Sequence, residues 1–104
     1  MKILLTHMPQ MRANYYGDRA LAALGSLGDL QLHEADAALE PDQLVAAAQG
    51  VDLIIADRLT TVPAPVFAGL PTLKAVLRSA VDIRNIDVDA ASAAGVLEIG
   101  RAHV

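Results

Sequence analysis

A chain of 104 residues with a formal charge of −4 makes one domain at most. Its basic residues are scattered, which excludes the clustered basic face of a nucleic-acid binder; no apolar run nears the roughly 18 residues of a membrane span; and the lack of cysteine excludes disulfides and thiolate chemistry. A hydrophobic content of 54% with only 3% aromatics requires a core of Ala, Leu, Val and Ile, which suits helices lying close on a parallel sheet.

Met1-Lys2-Ile3 starts like a signal peptide, but its apolar run is too short. Ile3 to Thr6 reads as a first strand. The cytoplasm is the default compartment. From His7 to Ala13 the chain is irregular, with Pro9 as a breaker. Tyr16, Ala20, Leu21, Ala23 and Leu24 share one helical face, and Gly25 and Gly28 are read as its end. Leu30 to His33 is a short strand. The Ala-rich runs Ala35 to Ala38 and Ala46 to Ala48 indicate helix propensity. Pro41 fits a first helical position, Leu44, Val45 and Ala48 form an apolar face, and Gly50 is a stop. Val51 to Ala56 is apolar on both faces, as a central parallel strand is. Pro63 and Pro65 flank a short helix through Phe67, and Gly69 to Pro71 is a turn. Leu73 to Leu77 is a fourth strand. The polar loop Arg78 to Arg84 follows, then a helix that Asn85 or Asp87 could cap, then a stop at Gly95 and a fifth apolar run from Val96.

Strand and helix therefore alternate throughout. Such a pattern predicts a parallel sheet with helices on both faces. Right-handed crossovers make it a flavodoxin-like, doubly wound α/β domain of about five strands in three α/β/α layers. Sheets of this kind bind ligands beyond the carboxyl ends of their strands.

Three common sites on such a sheet are missing. A phospho-receiver needs an acidic pair after the first strand. Asp57 meets another of its requirements, but Thr6-His7-Met8 does not supply the pair. A flavin-phosphate loop needs hydroxyl and Gly residues that His7-Met8-Pro9-Gln10-Met11 lacks. No Gly-x-Gly-x-x-Gly turn follows the first strand, so a dinucleotide cradle is absent there.

The segment Arg78-Ser79-Ala80-Val81-Asp82-Ile83-Arg84-Asn85-Ile86-Asp87, with its Ala-rich continuation to Gly95-Val96, carries a resemblance. It is similar to the loop Arg-x-Gly-Val-Gly-x-Asp-Asn-Ile-Asp of the D-isomer-specific 2-hydroxyacid dehydrogenases, the phosphoglycerate dehydrogenase-like family. Asp52 to Ile55, Thr60-Thr61-Val62 and Leu70 to Lys74 also resemble that family's substrate-binding domain. The resemblance covers residues 2 to 97. It departs from the family at Ala80 and Asp82, which fill the two loop Gly positions, and at Arg84. A side chain at a loop Gly position alters how closely the backbone approaches a ligand.

The resemblance implies hydride transfer between NAD or NADP and a small 2-hydroxy or 2-oxo acid. It implies that the backbone N–H groups of Ala80, Val81 and Asp82 hold the substrate carboxylate, since converging N–H dipoles suit an anion. It places Arg58 and Arg78 near the cleft. Arg58 could attract an anionic substrate or simply pair with Asp57, and Arg78 divides between function and structure. Asp82 is expected to turn its side chain from the carboxylate and could pair with Arg84. The cofactor turn, an Arg, a carboxylate and an acid/base His of the family all lie downstream, so no catalytic, cofactor or metal-binding residue is expected in this chain. The implied partners are the NAD-binding domain and, for the whole enzyme, a second copy in a homodimer, with no nucleic acid and no membrane. A lone piece is expected to turn nothing over and to be marginally stable or self-associating. The alternative is a standalone flavodoxin-like module that binds a small anion or a protein without catalysis. An ACT-like regulatory domain fails on the strand–helix alternation.

Among the other candidates, His7 has no partner at metal-ligand spacing and reads as a satisfied loop residue. His33 reads as surface. Tyr15 and Tyr16 read as packing for the first helix. The domain is assigned to 1–97. Residues 98–104, Glu-Ile-Gly-Arg-Ala-His-Val, do not continue the fifth strand well, because a Glu in a central parallel strand is wrong on burial grounds. GAG ATC GGA AGA GCA CAC GTC encodes them and matches a common short-read sequencing adapter. They are expected to be a non-native tail.

Overall fold

The computed structural model describes residues 1–10, 12, 18–35, 37–57, 59–78 and 93–99. Five strands, β1 (Lys2–Leu5), β2 (Asp29–Leu32), β3 (Leu53–Ala56), β4 (Ala75–Arg78) and β5 (Leu97–Ile99), form one sheet in the order β2-β1-β3-β4-β5. Every pairing is parallel. Between the strands lie α1 (Asp18–Leu27), α2 (Pro41–Ala47) and α3 (Ala64–Gly69). This is the flavodoxin-like order, with its reversal between β1 and β3.

Alternation along each strand sends side chains to two separate cores. Leu4, Ile54 and Val76 stand beside one another in register on β1, β3 and β4. With Ala56 they meet Leu44 and Ala48 of the α2 region and Val66 and Phe67 of α3. Ile3, Leu5 and Ile55 point the other way, where Leu21 and Leu24 of α1 pack with Leu30, Leu32, Leu53 and Leu77. The α/β/α layering expected from the sequence is therefore present, built almost wholly from aliphatic side chains.

The stops at Gly50 and Gly95 are real. Their φ values of 76° and 74° lie in the left-handed region that a Cβ disfavours. Pro41 opens α2, and the Gln43 side chain accepts the Glu40 N–H at 2.9 Å. Two expectations need correction. Gly25 does not end the first helix, which runs on to Leu27; a Cβ there would meet nothing within 4 Å, so the position is open and nothing enforces a break. Ala35, Ala37 and Ala38 lie in the β2–α2 connection, outside any helix, because so short a run cannot nucleate one. The fifth strand also differs from the central position expected of it: among the described residues β5 is an edge strand, with Glu98 opposite Val76.

At the amino edge of the sheet, Asp52 ties three strands together. Its carboxylate accepts the Lys2 N–H at 2.9 Å and faces the Lys74 ammonium at 3.5 Å. Its own N–H donates to the Lys2 carbonyl, and its carbonyl accepts from Lys74 and Ala75. The Lys2 N–H, the largest influence, holds the Asp52 carboxyl below its ordinary 3.8; desolvation opposes it, and the Lys74 charge adds to the lowering. A carboxyl whose folded pKa lies below its unfolded value stabilises fully above the unfolded value, and the contribution fades as pH falls through the folded one. Asp52→Ala should therefore melt below the parent chain at neutral pH, and the gap should narrow as pH falls below the carboxyl's ordinary 3.8. Thermal melts across that range check this. A gap that stays constant with pH would show that the charge plays no part.

Candidate functional site

The carboxyl ends of β1, β3 and β4 lie side by side, and the crevice of an α/β sheet opens there, at the reversal of strand order. Thr6 and His7 leave β1, Asp57 through Thr60 leave β3, and Arg78 ends β4. Thr6, His7, Asp57 and Thr60 are each at most 2% exposed, although all four sit in or beside loops. Burying polar groups at a loop requires hydrogen bonds to satisfy them.

Asp57 organises this group. Its Oδ1 accepts the Thr6 hydroxyl at 2.7 Å and the Thr60 hydroxyl as well. Its Oδ2 accepts the Leu59 N–H at 3.3 Å, and its own N–H donates to Thr6 Oγ1 at 3.0 Å. Thr6 thus both gives and receives a bond with the same residue, 51 positions away. The result is a buried link between the end of β1 and the turn after β3. At 1% exposure, with both carboxylate oxygens hydrogen-bonded, Asp57 holds its neighbours in place. Leu59, in that same turn, remains 51% exposed.

A second, peripheral brace lies at the ends of β1 and β2. The Arg12 guanidinium donates to the His33 carbonyl at 3.0 Å and pairs with Glu34 at 3.3 Å. His33 Nε2 lies 2.6 Å from the Ala37 carbonyl, an exposed contact, and the residue is half-buried.

Of the residues that sequence reasoning named, Arg78 is the last residue of β4, in register with Ala56 of β3. That places its backbone next to Asp57 at the crevice. Arg58, Ala80, Val81 and Asp82 lie outside the described residues, as do Tyr15, Tyr16, Arg84 and the caps Asn85 and Asp87. His7 follows β1 and is 2% exposed. The Thr6–Asp57–Thr60 link was missed. Its signal was available only in part: a Thr directly after strand one and an Asp directly after strand three meet if those strands are neighbours.

Residues 3–99 match the model for the D-isomer specific 2-hydroxyacid dehydrogenase, catalytic domain. The chain belongs to this family. Over 58 residues it is 47% identical to the D-3-phosphoglycerate dehydrogenase of Mycobacterium tuberculosis, a stretch covering 56% of this chain and 11% of that enzyme. The Mycobacterium leprae D-3-phosphoglycerate dehydrogenase is 46% identical over 61 residues, 57% of this chain and 12% of the enzyme. The chain thus matches about a tenth of the length of these curated relatives. Among solved structures, Escherichia coli D-lactate dehydrogenase superposes with a TM-score of 0.75 at 20% identity, covering 96% of this chain and 30% of that one. An acyclic imino acid reductase in complex with NADPH and D-Arg gives 0.82 at 15% identity, with 96% and 30% covered. At these identities the likeness is one of fold.

The family implies a nicotinamide cofactor, and the described residues do not fit one. A pyrophosphate cradle needs glycines and free backbone N–H groups at the first strand-to-helix turn. Here Thr6 and His7 fill the end of β1 with buried side chains, and Pro9 offers no N–H. Among the described residues no group of three or more His, Asp or Glu is placed to hold a metal, and no helix is long and apolar enough to cross a membrane.

Proposed function

We propose that this chain is the substrate-binding part of an NAD(P)-dependent enzyme that interconverts a D-2-hydroxy acid and a 2-oxo acid. The family match across residues 3–99 carries the reading. In it, the N–H groups of Ala80, Val81 and Asp82, directly after β4, hold the substrate carboxylate. Arg78 and Arg58 supply the positive field that draws it in. The Asp82 side chain turns away, since a second carboxylate at the anion would repel it. NAD or NADP and the groups that move the hydride and the proton come from chain beyond this sequence. The whole enzyme is a cytoplasmic homodimer, and this piece alone binds no cofactor.

Residues 98–104 are read as a tail derived from sequencing adapter, although β5 takes in Glu98 and Ile99. Reading the source DNA past codon 97 tests this: an intact locus encoding the same seven residues and a stop would refute it.

Titrating pyruvate into the isotope-labelled chain tests the site. Saturable shifts should appear in the amides of Ala80, Val81 and Asp82, with equimolar chloride producing none. Shifts confined to other residues would overturn the assignment.

A further inference from the structure

The link between β1 and the turn after β3 has a use beyond holding the fold together. Loops at the carboxyl edge of a parallel sheet are ordinarily the least fixed part of the domain, and ligand sites built on them lose precision. Here one buried carboxylate accepts three bonds from three residues, Thr6, Leu59 and Thr60. Two of the donors lie in the turn itself. The third is anchored at the end of β1, one of the two strands that flank the switch point. The turn is thereby tied to the sheet by side-chain bonds at Asp57, Leu59 and Thr60.

We propose that Asp57 is a positioning residue: through Thr6 and Thr60 it presets the β3 turn as one wall of the substrate crevice. This rests on the substrate-binding reading above and deepens it. A preset wall spares the ordering that a mobile loop undergoes on binding. The polar groups are satisfied before any ligand arrives, so the wall needs no ligand to form.

The test compares Asp57→Ala, Thr60→Val and Thr60→Ser with the parent chain by amide exchange and by pyruvate titration. Losing the carboxylate should speed exchange at the Leu59 amide about tenfold or more while β1 and β3 amides keep their protection. Thr60→Val, which is nearly isosteric but donates no bond, should weaken pyruvate binding about threefold to tenfold, and Thr60→Ser should restore it. Restoration by a hydroxyl is a readout that packing alone would not produce. If Asp57→Ala does not fold, the Thr60 pair decides the matter. Equal loss of protection in the turn and in the strands would overturn the proposal, as would Thr60→Ser behaving like Thr60→Val in Leu59 exchange. A parent chain that binds no pyruvate sinks the substrate reading instead; the exchange rates then still decide whether the turn is preset.

Discussion

Supplied with NADH and a panel of 2-oxo acids, this chain alone should oxidise no NADH above the uncatalysed rate. Enzymes of ordinary competence accelerate their reactions by about a millionfold or more, so the expected difference from a working dehydrogenase is very large. The reasons are local. Hydride transfer needs a donor held in contact with the substrate carbon, and the sequence carries no Gly-x-Gly-x-x-Gly turn after its first strand to hold a dinucleotide there. Reduction of a carbonyl also needs a proton donor within hydrogen-bond reach of its oxygen. Among the described residues at the crevice, the titratable side chains His7 and Asp57 are buried beneath it, at 2% and 1% exposure. Binding without turnover is therefore the expected behaviour. A rate above background that tracks the purified chain and disappears in Arg78→Ala would refute this account.

Ile54→Asp should leave no cooperatively folded chain, and Ile54→Ala should lower stability by about 2–4 kcal/mol. Ile54 is fully buried at the middle of the sheet, between Leu4 and Val76 in register. Removing three methyl or methylene groups there loses transfer energy and leaves a cavity that two sheet neighbours cannot close. A domain of this size has roughly 5–10 kcal/mol to lose. The alanine variant should therefore melt about 15 °C lower. An ionised carboxylate in the same place has no partner and costs several kcal/mol more. Leu27→Ala is the control: its side chain is 62% exposed, and its effect should stay within about 0.5 kcal/mol. Urea and thermal melts of the three variants check the ranking. An Ile54→Ala chain that melts with the parent would mean that the two-sided core is not what stabilises the sheet.

Much of the fold was legible because its signals are local and agree with one another. Val51 to Ala56 is apolar at every position, Pro41 sits where helices start, and Gly50 sits where they stop. The structure follows each of these to within two residues. The misreadings have physical causes. Gly25 lowers helix propensity by about 1 kcal/mol but does not forbid helix, and the turns on either side carry α1 through it. The Ala residues before Pro41 favour helix individually but are too few between β2 and α2 to form one. The switch-point link was invisible for another reason: the two partners are 51 residues apart, and only the sheet order makes them neighbours. Arg78 could be placed because it ends a strand, whereas the loop beyond it rests on likeness to a family.

The all-parallel pairing of β1 has a kinetic consequence. Lys2 meets Asp52 fifty residues later in the chain, and β1 is flanked by β2 on one side and β3 on the other. During synthesis β1 precedes β3, and Leu4, whose core partners include Ile54 and Ala56, lacks them until Ala56 has cleared the ribosome. Loop closure over such distances must come before most of the stabilising contacts form, so folding should be slow for a chain this short. β1 is thus the strand whose core face stays open longest, and the arrival of β3 is the event that closes it.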